Sequence, residues 1–139
     1  MNNETIKILI ADDEARMRAL VRDYLRVKGY QVLEAENGAE ALAVFEREPD
    51  IALVLLDVMM PELDGFETLK ELRRISEVPV LMLTARSEER DELRGFSLGA
   101  DEYIAKPFSP KVLMARVEAV LKRTAANPEG VVIEYRSQL

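Results

Sequence analysis

Five short apolar runs punctuate the chain: Ile6–Ala11, Tyr30–Ala35, Ile51–Leu56, Val78–Leu83 and Tyr103–Ala105. Three of them are nearly continuous rather than alternating, which suits strands covered on both faces, as in a parallel sheet. Between them, apolar residues recur at helical spacing. The stripes are Leu20, Val21, Tyr24 and Leu25; then Ala41, Leu42 and Phe45; then Phe66, Leu69, Leu72 and Ile75. A weaker one holds Leu93, Phe96 and Leu98, and a last one Val112, Leu113, Val117, Val120 and Leu121. Gly29, Glu48-Pro49 and Gly99 stand where the first, second and fourth helices should stop. Asn37 with Glu40 resembles a capping box, and Ser109-Pro110 reads as an N-cap followed by a first helical residue. Repeated strand-then-helix units with short right-handed connections predict an α/β fold: a doubly wound, five-stranded parallel sheet with helices on both faces.

A chain of 139 residues holds one such domain and not two. Its net charge of −7 argues against the domain itself gripping nucleic acid. Cysteine and histidine are absent, which excludes disulfides, thiol nucleophiles, zinc sites and histidine-dependent triads within this chain. A metal here must be held by oxygen, so a hard cation such as Mg2+ is expected. The longest apolar run, Ile51–Leu56, is too short to span a bilayer, and no signal peptide is visible, so a cytoplasmic location is the default. After Arg123 the character changes. Thr124–Gly130 reads as a linker, and Val131–Tyr135 as a strand with no partner nearby. The expected division is a domain at 1–123 and a tail at 124–139.

In an open α/β sheet, ligands bind beyond the carboxyl ends of the strands. Strand one ends in Asp12-Asp13, strand three in Asp57, strand four in Thr84-Ala85 and strand five in Lys106-Pro107. Taken singly, each has an ordinary reading: a helix cap, a turn residue, a strand-end threonine, a solvated lysine. Together they put three carboxylates, a hydroxyl and an ammonium at one sheet edge. Those carboxylates would repel one another without a cation or strong donor between them, and Lys106 and Mg2+ can both serve. Ala11-Asp12-Asp13-Glu14 would repel a bare phosphate, whereas a divalent cation inverts the sign and admits a phosphoryl group. The pattern suits phosphoryl transfer onto a carboxylate.

Asp12-Asp13, then Asp57 through Gly65 (DVMMPELDG), then Thr84-Ala85, then Lys106-Pro107-Phe108 resemble the receiver domain of bacterial two-component response regulators, over about residues 6 to 123. The resemblance implies a CheY-like, flavodoxin-like sheet of order 2-1-3-4-5 with five helices. It makes Asp57 the acceptor of a phosphoryl group from a sensor histidine kinase. Asp12, Asp13, Asp57 and the backbone carbonyl of Met59 would hold Mg2+, and Lys106 would pair with Asp57 and then with a phosphoryl oxygen. It further implies a cis bond between Lys106 and Pro107, and a switch pair, Thr84 and Tyr103. Met59 and Arg86 fall where the family tunes phosphoryl lifetime; neither is a good water-activating base, so slow self-hydrolysis is expected.

The start and end of the last helix and the Val131–Tyr135 tail resemble the winged-helix OmpR/PhoB-type subfamily, in which a DNA-binding domain follows the receiver. That implies transcription regulation, with DNA contacted through an effector absent from this chain. It also implies a homodimer on phosphorylation, through helix four, strand five and helix five. Asp101, Glu102 and Arg116 fit the pairing face, with the basic Arg94 nearby as a further candidate; Glu92 and Val112 depart from it. Two rivals are a stand-alone receiver acting on a protein partner and a Mg2+-dependent aspartate-nucleophile phosphatase. The second usually has another aspartate two residues after the nucleophile, where this chain has Met59.

Overall fold

A computed structural model of the chain describes residues 6–85 and 89–126. It contains strands β1 (Lys7–Ala11), β2 (Gln31–Ala35), β3 (Ile51–Asp57), β4 (Val80–Thr84) and β5 (Glu102–Ala105). They alternate with helices α1 (Ala15–Val27), α2 (Gly38–Arg47), α3 (Gly65–Leu72), α4 (Glu89–Ser97) and α5 (Pro110–Ala126). All strand pairs are parallel and the order is β2-β1-β3-β4-β5, as expected. No described helix is long and apolar enough to cross a membrane.

The continuous apolar runs resolve into two alternating sets. Ile8, Ile10, Leu53, Leu55, Leu81 and Leu83 face Val21 and Leu25 of α1 and Leu113, Val117 and Val120 of α5. Leu9, Val54, Leu56, Val80 and Met82 point the other way, onto Ala41 and Val44 of α2 and Phe66, Leu69 and Leu72 of α3. Neither face can be polar, because each is the floor of a helix layer. The edge strand β2 is covered less completely, which is why it tolerates Gln31 and Glu34.

The helix boundaries follow from local chemistry. Gly29 (φ 94°) and Gly99 (φ 103°) each take a left-handed conformation just past a helix. There, Tyr30 N–H donates to the Leu25 carbonyl (3.2 Å) and Ala100 N–H to the Gly95 carbonyl (2.9 Å), closing both ends. Asn37 Oδ1 accepts from Glu40 N–H at 2.8 Å, and Ser109 Oγ from Val112 N–H at 3.1 Å. The Glu40 carboxylate reaches one residue further back than a capping box requires, to Glu36 N–H (2.7 Å).

Several stripe residues depart from expectation. Helix α3 stops at Leu72, and Ile75 lies beyond it, 55% exposed. Leu20, Leu93, Phe96 and Val112 lie at the margins of their helical stripes and are also largely exposed. The short, polar α4 contributes little to the core: the aromatic pair Phe96–Tyr103 (centroids 6.5 Å) and the approach of Gly95 to Tyr103 seat it on the sheet. Helix α5 runs through Ala126, past the domain boundary expected at Arg123. Residues 127–139, including Val131–Tyr135, lie outside the described residues.

Candidate functional site

Strand register assembles the site. Ala11 pairs with Leu56, so the next residues, Asp12 and Asp57, leave β1 and β3 side by side. Thr84 pairs with Ala105, which brings Lys106 to the same edge. The order reverses at β1, so the loops after β1 and β3 diverge to opposite sides and open a crevice between them.

One oxygen from each of Asp12, Asp13 and Asp57 lies within 4.8 Å of the others. Asp12 is fully buried and Asp57 is 3% exposed, whereas Asp13 reaches solvent. Lys106 Nζ stands 3.2 Å from Asp12 Oδ2 and 3.6 Å from Asp57 Oδ2. Oδ1 of Asp12 accepts from Glu14 N–H (2.9 Å), and Oδ1 of Asp57 from Met59 N–H (3.3 Å). The helix-cap reading of the aspartate pair is thereby replaced: Glu14 occupies the N-cap of α1, and Asp12 folds back over it instead.

Burial pushes the Asp57 carboxyl up to about 7, and the neighbouring Asp12 charge pushes the same way; Lys106 and the Met59 N–H oppose them without prevailing. The pocket therefore has more negative charge than its lysine neutralises. An all-oxygen donor set with surplus charge fits a hard divalent cation, with Asp12, Asp13 and Asp57 as its carboxylates. The same surplus favours an electrophile that arrives with a cation.

The loop after β3 owes its shape to a close approach. Gly65 N–H donates to the Val58 carbonyl at 2.9 Å, and a Cβ on Gly65 would lie 2.4 Å from the Asp57 carbonyl oxygen and 2.7 Å from Val58 Cα. Only glycine lets α3 begin that close to the Asp57 peptide. Asp64 caps the helix by accepting from Glu67 N–H at 2.9 Å. The Lys106–Pro107 peptide is cis.

The family model for the response regulator receiver domain matches residues 8–118. The chain belongs to that family. Among solved structures, the receiver resembles the chemotaxis protein CheY4 of Vibrio cholerae at 34% identity and a TM-score of 0.79, covering 83% of this chain and 98% of that one. Among curated proteins, it is 51% identical to the "Probable transcriptional regulator ycf27" of Pyropia yezoensis, over 88% of this chain and 50% of that protein. It is 49% identical to the transcriptional regulatory protein ResD of Bacillus subtilis, again over 88% of this chain and 50% of the relative. The receiver thus spans about half the length of these curated relatives. Receivers are phosphoryl-accepting signalling switches rather than turnover enzymes, which sets aside the phosphatase alternative.

Within the receiver, Met82 pairs with Tyr103 and Thr84 with Ala105, so Thr84 and Tyr103 share the sheet face under α4, Thr84 nearer the pocket. Both are buried, and the Tyr103 ring packs beside Gly95 and Phe96. Arg86 lies outside the described residues. Of the four charges expected on the pairing face, two meet: Arg116 Nη1 and Glu102 Oε2 are 3.1 Å apart within the chain. The other two turn toward α3. The Arg94 guanidinium stacks 4.4 Å above the Phe66 ring, and Asp101 Oδ2 accepts from Val80 N–H (2.9 Å) beside Arg73. Both find intrachain partners because α3 lies within reach of α4 and of the loop before β5.

Sequence reading named Gly65 and Glu14 only as parts of longer runs, without a role of their own, and missed Arg18. The Asp64–Glu67 spacing signals a helix start, and with it the tight turn at Gly65. Glu14 acts through its backbone, and Arg18 through a carbonyl and a residue on another strand, so neither has a signature in the sequence.

Proposed function

We propose that the chain takes a phosphoryl group onto Asp57 from the phosphohistidine of a sensor kinase. A carboxylate oxygen of Asp57 forms a bond to phosphorus as the donor P–N bond breaks, and the departing imidazole is reprotonated from solvent. When bound, Mg2+ supplies counter-charge to the phosphoryl oxygens; Asp12, Asp13 and Asp57 would hold it, together with the Met59 carbonyl. Lys106 stays within reach of the Asp57 oxygen and neutralises part of the charge that the product carries. The hydroxyl of Thr84 turns to a phosphoryl oxygen, and Tyr103 moves further under α4 into the space it leaves. The contact that Thr84 makes only with the phosphorylated form is the free energy that biases the switch.

The observation that carries this reading is three carboxylates within 4.8 Å of one another, two of them buried, against a lysine that follows β5, two strands from β3 and three from β1. The relatives named as transcriptional regulators, each about twice as long, support a further step: a DNA-binding effector outside this chain, controlled by pairing through α4, β5 and α5. Glu102 and Arg116 supply charge on that face. Incubating the chain with acetyl phosphate and Mg2+ is expected to add one phosphoryl mass to the intact protein, and EDTA to abolish the gain. Equal gain in EDTA, or no gain with Mg2+, would contradict the proposal.

A further inference from the structure

Asp12 is held at four points. Its N–H donates to the Ala35 carbonyl (3.1 Å), Oδ1 accepts from Glu14 N–H (2.9 Å), and Oδ2 faces Lys106 Nζ (3.2 Å). The fourth hold is on its backbone carbonyl, which accepts from Arg18 Nη1 at 2.7 Å. Arg18, in the first turns of α1, is itself fixed: Nε donates to Glu34 Oε1 of β2 at 3.1 Å, while Arg22 Nη1 donates to the other Glu34 oxygen at 3.2 Å. Its side chain is only 16% exposed. One planar guanidinium therefore ties α1, β2 and the end of β1 together, and it does so at the peptide from which the buried carboxylate projects.

We propose that Arg18 is a positioning residue: by fixing the Asp12 peptide it aims the Asp12 carboxylate at the pocket and so sets the affinity for Mg2+. This rests on reading the pocket as a Mg2+ site. Mg2+ demands short, near-octahedral ligation, so a small swing of one ligand costs affinity, and partners that orient a ligand matter almost as much as the ligand. Two roles for Arg18 predict opposite signs. As a mere positive charge near the pocket, it would repel the cation, and its removal would tighten binding. As the brace for Asp12, its removal weakens binding.

The test is calorimetric titration of MgCl2 into the wild-type chain, Arg18→Met and Arg18→Lys, each also unfolded in urea to record stability. Arg18→Met is expected to bind Mg2+ about tenfold more weakly. Arg18→Lys keeps the charge but cannot span both Glu34 and the Asp12 carbonyl, and should fall between the two. Affinity in Arg18→Met equal to or tighter than wild type overturns the proposal, whatever happens to stability. Should Arg18→Met fail to fold, Arg18→Lys decides: weaker binding at unchanged charge supports the brace, and unchanged binding overturns it. A wild-type chain that binds no Mg2+ overturns the metal-site reading itself, and the brace with it.

Discussion

Asp57→Asn is expected to lose phosphoryl uptake from acetyl phosphate by at least about a thousandfold, because no other described carboxylate shares its place beside Lys106 and the Met59 N–H. The same variant should be more stable than the wild type in the absence of metal. Asp57 ionises near 3.8 in an unfolded chain and at about 7 in the fold, where burial and the Asp12 charge oppose ionisation. Between those values the folded chain binds more protons than the unfolded one, so stability is greatest on the acid side and falls as pH rises through the folded value. Asparagine carries no charge to desolvate and can still donate an N–H to Asp12. Its advantage should therefore be small near pH 4 and grow to on the order of 2–4 kcal/mol above pH 7. Urea unfolding in EDTA across that range measures it. An asparagine variant less stable than wild type at pH 8 would show that Lys106 outweighs burial and the Asp12 charge.

Gly65→Ala is expected to cost about 3 kcal/mol, or about 10 °C in Tm. The added Cβ would meet the Asp57 carbonyl oxygen at 2.4 Å and Val58 Cα at 2.7 Å, both backbone atoms that cannot move aside by changing rotamer. Either α3 retreats or the β3 end shifts, and the latter carries Asp57 with it. A loss in phosphoryl uptake beyond that caused by unfolding should accompany the destabilisation. Alanine is otherwise the better helix former, so a stabilised variant would mean that the approach of α3 to the Asp57 peptide is looser than described.

Most of the fold was legible because its determinants are local. Apolar runs such as Ile51–Leu56 cannot sit on a half-exposed sheet, and Gly29, Gly99 and Ser109 mark helix ends with chemistry that acts within a few residues. The pocket was legible because strand ends in a parallel sheet share one edge, which turns Asp12, Asp57, Thr84 and Lys106 into neighbours without any knowledge of packing. What the sequence concealed depends on contacts between separate elements. Arg18 looks like any solvated helix arginine until β2 delivers Glu34 beside it. Arg94 and Asp101 look like surface charges until α3 presents the Phe66 ring and the Arg73 guanidinium. The stripe through Leu93 and Phe96 promised a buried face that a short, polar α4 leaves largely in solvent.

The most direct test of the account is to treat the chain with acetyl phosphate and Mg2+, reduce the product with borohydride, and locate the modified residue by peptide mass spectrometry. Hydride reduces an acyl phosphate to the alcohol with release of phosphate, so an aspartyl phosphate is read as homoserine. The account predicts homoserine at position 57 and at no other aspartate, and none when EDTA replaces Mg2+. Homoserine at Asp12 or Asp13, or equal conversion at position 57 without a divalent cation, would contradict it.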